Sequence, residues 1–435
     1  MRSSFRQLLG LYLCVALIGL PAGCKSSEQT EDAAPSAPPS QQSTRPDLAT
    51  PSPSVRTVQL YRGDDEQRLP VVTLGEGSPL TLEFDLMKEQ GRPLSISFEH
   101  ADRTWRRDLS ASRTLESYQN DRLLDYRPSR GTDVSYVHYR YRFPNDEIRF
   151  RISGNYILRV TERGRPDSVL FEHPFFVAER RGELQLGAES VPVPGQQAPS
   201  LRPKARFSPP SDLQGDPMGH AVCFVRNGRL ADTRCEDRPL LVRQPELEFE
   251  VERDRAYAPA TAGYGLDLST LRATNRIARV DRTASPIQVL LEPDYARFEE
   301  SAVGPDGNGQ TVVRGALSSR ADPALTAEYV KTSFAFVPSN ERPYGSRLVV
   351  AGSFSGMNPD RGAQMEWNEV RGRYEGTVLL KQGQHQYFYS TSDPALTKQI
   401  QRTERRITGT YTAFVYYQDP QYNTDRLLRV SGFAP

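Results

Sequence analysis

The chain has 435 residues, with 55 Lys and Arg against 54 Asp and Glu and a formal net charge of +1. That balance excludes a nucleic-acid binder of the usual kind, because neutralising phosphates takes an excess of cationic side chains. Roughly 380 residues remain beyond an N-terminal export segment and its linker, enough for two or three domains with cores of their own.

Arg2 and Arg6 precede the apolar run 8–20, and Ala22-Gly23-Cys24 follow it. A basic start, a short apolar run and small residues make a secretory signal over residues 1–23, too short to span a bilayer. Small residues directly before a cysteine resemble a bacterial lipoprotein cleavage site and imply Cys24 as the lipidated residue. Pro21 departs from that pattern, which usually has Leu there. Residues 24–54 are dominated by Ser, Pro, Thr, Gln, Asp and Glu. Such a composition cannot bury enough apolar surface to offset ordering, so it reads as a disordered tether. Lys25-Ser26 after Cys24 supplies no aspartate retention signal. The expectation is therefore an anchor in the outer membrane, with the body facing the periplasm.

Residues 55–180 alternate apolar and polar side chains. Leu80, Leu82, Phe84 and Leu86 alternate with Thr81, Glu83 and Asp85; Val137, Tyr139, Tyr141 and Phe143 alternate with His138, Arg140 and Arg142. Period-two alternation predicts strands with one buried and one wet face, and several of them joined by short turns predict a β-sandwich. His100, Asp102 and His138 have no ligand spacing of a recognised metal site and read as structural.

Residues 181–323 read as a linker followed by a middle β domain. Glu183–Ser211 is rich in Pro, Gln and Gly and reads as an irregular crossing. Leu247, Phe249 and Val251 alternate with glutamates, a strand whose acidic face can meet arginines. Cys223 and Cys235 flank Asn227-Gly228, a strong two-residue hairpin signal. Such a hairpin sets Cys223 opposite Asp232, so two free thiols are expected. Asp306-Gly307-Asn308-Gly309 lacks the further carboxylates of a calcium loop and reads as a turn.

Residues 324–435 read as a C-terminal immunoglobulin-like β-sandwich. Leu348–Ala351, Thr377–Leu380, Tyr387–Tyr389 and Tyr411–Tyr417 are its strands, with a turn at Lys381-Gln382-Gly383-Gln384. The whole is thus expected to be all-β, tandem immunoglobulin-like β-sandwich domains behind a lipoprotein signal and tether. No nucleophile elbow, metal-ligand set or phosphate loop occurs, so neither an enzyme nor a cofactor is expected.

The order of landmarks resembles the type IX secretion system plug protein family. Leu82-Glu83-Phe84-Asp85 resembles its L-x-F-D, and His100-Ala101-Asp102 with Trp105 its C-D-A-x-W segment with His in place of Cys. Tyr136-Val137-His138-Tyr139, Pro144-Asn145 and Ser153-Gly154-Asn155-Tyr156 follow in the family's order. So do Phe224–Arg229, Leu291–Arg297, Leu380-Lys381-Gln382-Gly383, Val415-Tyr416-Tyr417 and Asp425-Arg426-Leu427. The resemblance implies a non-enzymatic part that docks on the periplasmic side of a large outer-membrane β-barrel translocon and plugs its pore when idle. Tyr387, Tyr389, Tyr416 and Tyr417 are the candidate partner-binding residues, since Tyr is enriched where interfaces concentrate their energy. The alternative is a carbohydrate-binding lipoprotein. Gly356-Met357 stands where starch-binding modules carry a platform tryptophan, so that reading rests on Trp367.

Overall fold

The computed structural model describes residues 45–63, 65–66, 69–192, 199–258, 263–296, 309–315, 322–400 and 409–434. Among them the fold is all-β, with six sheets paired into three sandwiches. The signal, Cys24 and the Asp306–Gly309 turn up to Asn308 lie outside the described residues.

The first sandwich sets Val55–Arg62, Leu80–Leu86, Val137–Phe143 and Tyr126–Pro128 against Val71–Thr73, Arg165–Ala178, Gly154–Glu162, Leu94–Ala101 and Asn120–Leu123. Leu82, Phe84, Ile96, Phe98, Phe143 and Phe175 fill the space between. One expectation fails here. The polar face of Leu80–Leu86 is not wet: Thr81, Glu83 and Asp85 are as buried as the leucines. Alternation reports which side chains share a face, but not whether a second body covers the polar face.

The second sandwich begins with a hairpin, Glu183–Val191 against Ser200–Ser208, where an irregular crossing was expected. Leu184 and Leu186 alternate with Glu183 and Gln185, a period-two signal masked by the Pro- and Gln-rich stretch beyond them. Glu246–Glu250 joins this sheet, and its glutamates pair with Arg202, Lys204 and Arg206 as expected. The facing sheet orders Arg234–Glu236, His220–Arg226, Tyr411–Asp419 and Thr424–Phe433.

That facing sheet corrects the domain boundaries. His220–Arg226 pairs with Tyr411–Tyr417 residue by residue, from His220 opposite Tyr417 to Arg226 opposite Tyr411. The last two strands thus complete the second sandwich, not the C-terminal one. The third sandwich, residues 264–400, is inserted between Tyr257 and Tyr411. In it, Tyr264–Asp267, Gly383–Thr391, Leu348–Gly352 and Ala363–Gln364 face the sheet of Ile277–Asp281, Gln288–Leu291, Tyr329–Val337, Arg373–Lys381 and Glu366–Asn368. Lys381–Gln384 is not a hairpin turn. Arg373–Lys381 and Gly383–Thr391 belong to opposite sheets, so the chain crosses between layers at Gln382.

Two further expectations fall. Cys223 and Cys235 form a disulfide. The turn at Asn227-Gly228 does form, with φ of 51° and 65° and Arg229 N–H donating to the Arg226 carbonyl. A 3-10 turn at Leu230–Asp232 then delays the return strand, which sets Cys223 directly opposite Cys235. The tether also stops short of residue 54. From Arg45 the chain lies on the folded body: Ala49 N–H donates to Glu172 at 2.8 Å, Ser52 N–H to the Leu170 carbonyl at 2.7 Å, and Arg45 pairs with Asp360 at 3.1 Å. Leu48 packs against the apolar layer between the first two sandwiches.

Candidate functional site: two buried junctions

The outer face of Leu80–Leu86 meets the third sandwich in a polar cluster. Lys381 closes Arg373–Lys381, and its Nζ donates to Asp85 Oδ2 at 2.6 Å and to the Ala324 carbonyl at 2.8 Å. Both side chains are 1% exposed, so the charges are screened by protein and not by water. The ammonium also lies over the Tyr136 ring, 4.2 Å from its centroid. Tyr329 OH donates to Asp85 Oδ2 at 2.7 Å and lies 2.6 Å from Thr57 Oγ1. His138 Nδ1 reaches Asp85 Oδ1 at 2.8 Å, and its Nε2 stands 3.6 Å from Glu83. Tyr136 OH donates to the carbonyls of Ala324 and Ala327.

The cluster floors a cleft of about 210 Å³ between the sandwiches, also lined by Gln59, Tyr61, Arg140, Arg314 and Asp322. Burial acts to lower the His138 pKa, but Asp85 and Glu83 outweigh it and the net shift is upward. Burial acts to raise Glu83, but the neighbouring His138 and the Arg140 guanidinium that donates to it carry it down to about 2. The imidazolium and the Glu83 carboxylate therefore favour one another's charged forms.

The rest of Leu380-Lys381-Gln382-Gly383 serves the same junction. Gln382 Oε1 accepts from Glu328 N–H at 2.8 Å, and the Glu328 carboxylate in turn accepts from the main chain of Asp133 and Val134 in the first sandwich. Gly383 has φ of 147°, and a Cβ there stands 2.1 Å from the Val312 carbonyl oxygen. Only glycine lets the two backbones approach that closely.

The junction with the second sandwich is apolar at its centre. Trp105, Ile157 and Phe176 pack against Ala221, Cys223, Val225, Phe414, Tyr416 and Leu427. Phe176 and Phe414 lie 4.4 Å apart between ring centroids. The opposite face of the same sheet, with Val222, Phe224, Ala413 and Val415, fills the core of the second sandwich. A sheet buried on both faces explains why His220–Arg226 and Tyr411–Tyr417 read as nearly continuous apolar runs. Polar bonds rim the layer. Tyr416 OH donates to Asn155 Oδ1 at 2.8 Å, Arg103 pairs with Asp425 at 2.6 Å, and Arg426 grips both oxygens of Glu179. Ser153 Oγ accepts from Leu427 N–H at 3.0 Å. Gly154, at φ of 149°, has no room for a Cβ, which would stand 2.3 Å from His100 Nε2.

The four tyrosines expected to bind a partner are inside. Tyr387 and Tyr389 each donate to Asp294 Oδ2 at 2.8 Å in the core of the third sandwich, where Arg276 neutralises that carboxylate from 2.6 Å. Tyr416 lies in the junction above, and Tyr417 packs beside His220 in the second sandwich. Tyr387 and Tyr389 are the inward members of Gly383–Thr391, and Tyr416 and Tyr417 lie on a strand covered on both faces along most of its length. His100 and His138 hold structural hydrogen bonds, and no metal-binding group of three or more ligand residues occurs among the described residues. The residues that join the sandwiches, Asp85, His138, Asn155, Lys381 and Asp425, were all in view as landmarks. What the sequence lacked was the pairing of Asp85 with Lys381 and of Asn155 with Tyr416, each more than 200 residues apart.

The fold and its two junctions define an all-β protein whose sandwiches are bonded into one body. Residues 55–179 match the family described as type 9 secretion system plug protein 1st domain. That match, over the first sandwich, supports the type IX secretion plug family for this domain. Among solved structures, a hypothetical protein from Parabacteroides merdae ATCC 43184 is 20% identical, with a TM-score of 0.80 over 90% of this chain and 100% of that one. At that identity the likeness shows a common fold. A Salmonella alpha-2-macroglobulin mutant is 11% identical over 90% of this chain and 24% of that one, and its TM-score of 0.18 carries no argument. No curated protein matches the chain.

Proposed function

We propose that this protein is a non-enzymatic component of type IX secretion that docks on the periplasmic side of the outer-membrane translocon and plugs its pore when idle. The observation that carries the reading is the match of the first sandwich to the plug family's first domain. The junctions agree with it. Occluding a pore needs a body that keeps its shape under load, and buried bonds across two junctions tie the first sandwich to the other two. Lipidation of Cys24 would hold that body at the membrane, at about 0.8 kcal/mol per buried CH₂. The carbohydrate alternative draws no support from Trp367, whose ring packs edge-on against Tyr374 at 5.1 Å.

Gentle detergent extraction and affinity purification of the tagged full chain test the proposal. Recovery of a large outer-membrane β-barrel in stoichiometric amount is expected. Recovery without one sinks it. Substituting Cys24→Ser moves the protein to the soluble periplasmic fraction if the anchor is as proposed.

A further inference from the structure

Two sheets end beside each other on the surface. Val71–Thr73 is the last strand of one sheet in the first sandwich, and Thr424–Phe433 the last strand of one in the second. Between them runs a groove of about 350 Å³, lined by Leu69, Val71, Ala178 and Val430, with Arg62 and Arg180 beside them. The main chain of Glu179 and Arg181 donates to the carbonyls of Leu427 and Leu428 at 3.0 and 2.9 Å. Beyond that point, among the described residues, Arg429–Phe433 has main-chain bonds only on its inner side, to Tyr411–Val415. An open strand edge is a template for another strand. Proteins that guard such an edge place Lys, Pro or a bulge on it; here the register shift falls at Leu428, before the open segment, which itself carries Ser431 and an exposed Gly432.

The charges around the groove say what kind of strand fits. Arg62 and Arg180 both stand on Glu76, and Arg429 donates to the Arg180 carbonyl at 3.4 Å. Two guanidinium groups thus share one carboxylate, and a third, that of Arg429, stands beside Arg180. That surplus favours a second carboxylate, delivered by the occupant, because guanidinium groups bind carboxylates through paired hydrogen bonds.

We propose that the groove receives an extended segment of a partner protein as an added strand along Arg429–Phe433. Its apolar side chains rest on Leu69, Val71 and Val430, and a carboxylate at its end meets Arg62 and Arg180. If the partner is the translocon, the inference rests on the plug reading; the groove's preference for an acidic, apolar strand does not. Binding by strand addition also suits a plug that must leave, because the bonds form along one short edge.

The test uses the full chain and a fluorescein-labelled octapeptide that alternates Val and Thr with Glu at both ends, beside the same peptide ended with Lys. The Glu peptide is expected to bind at least tenfold more tightly than the Lys peptide. Gly432→Glu should weaken it at least tenfold without moving the melting temperature, since a Cβ at Gly432 meets nothing closer than 3.6 Å. Arg62→Ala should weaken the Glu peptide and leave the Lys peptide unchanged. Equal affinities for the two peptides, or binding undiminished by Gly432→Glu, overturn the proposal. So does a dimer of the chain that Gly432→Glu dissolves, which makes a second copy the occupant. Purification from the host separates the two readings. A barrel recovered equally with wild type and Gly432→Glu removes the groove and keeps the plug. Peptide binding that persists when no barrel is recovered removes the plug and keeps the groove.

Discussion

The two junctions of the first sandwich are built on opposite principles. Toward the second sandwich it presents Trp105, Ile157 and Phe176 to Phe414, Tyr416 and Leu427, an apolar layer with hydrogen bonds at its rim. Toward the third it presents Asp85, Glu83 and His138 to Lys381 and Tyr329, a polar cluster with no apolar centre. Apolar burial stabilises in proportion to area and tolerates small displacements. A buried ion pair contributes little net stability, yet breaking one side of it is strongly unfavourable, and it accepts only one geometry. The first junction is held by area, the second by direction.

The largest effect that separates them is expected at Lys381. Lys381→Met leaves Asp85 buried beside Tyr329 without its cation, and should destabilise by about 3–5 kcal/mol in urea unfolding. Adding Asp85→Asn should recover much of that loss. A single-variant loss below about 1 kcal/mol would mean that water reaches Asp85 and the pair is not a pin. Removing the disulfide with Cys223→Ala and Cys235→Ala comes next. It frees a short loop of the unfolded chain and should cost about 3 kcal/mol. An unchanged melting temperature under reducing conditions would deny the bridge.

Tyr416→Phe tests the rim of the apolar junction. It keeps the ring in place and leaves Asn155 Oδ1 without its donor, at about 1–2 kcal/mol and without dependence on pH between 5.5 and 8.5. A pH-dependent loss would show that the rim, and not only the polar junction, carries titrating groups.

The smallest effect is the pH dependence of the polar junction. The folded-state pKa of His138 is raised above its unfolded value near 6.5. Its contribution is thus fully present below that unfolded value and is lost as pH rises through the folded pKa. Wild type should lose about 1 kcal/mol more than His138→Gln between pH 5.5 and 8.5. Parallel stability curves for the two would remove His138 from the ion network. Glu83 acts in the other direction: its pKa is lowered to about 2, so its contribution is present above its ordinary value and fades only as pH falls through about 2.

Local pattern was sufficient for the strands themselves. Alternation marked Leu80–Leu86 and Val137–Phe143, and the continuous apolar runs marked His220–Arg226 and Tyr411–Asp419. Composition hid the hairpin at Glu183–Val191, because its two leucines stand beside a Pro- and Gln-rich stretch. The register at Cys223 was misread for a different reason. The Asn227-Gly228 turn is where the sequence places it, but nothing in the sequence announces that a 3-10 turn follows before the strand returns.

Partner assignment across long distances was beyond the sequence. Aromatic density at Tyr387, Tyr389, Tyr416 and Tyr417 suggested contact with another protein, and the contact proved to be with this one. An aromatic hydroxyl buried on a carboxylate and one exposed for binding leave the same letters in the chain; only packing tells them apart. The motifs told more than their spacing could justify. Asp85, His138, Asn155, Lys381 and Asp425 were legible as landmarks, and each sits at a junction.

By itself the sequence determined that the protein is all-β, that its first 120 or so folded residues make one sandwich, and that this stretch matches the plug family's first domain. These follow from local alternation and turn chemistry, which act over a few residues. Only the tertiary structure decided that the last two strands leave the third sandwich to complete the second, and that a polar strand face is buried. It also decided that Lys381 finds Asp85 296 residues away. Those outcomes depend on which surfaces cover one another, and covering is a property of the assembled layers, not of any stretch of chain.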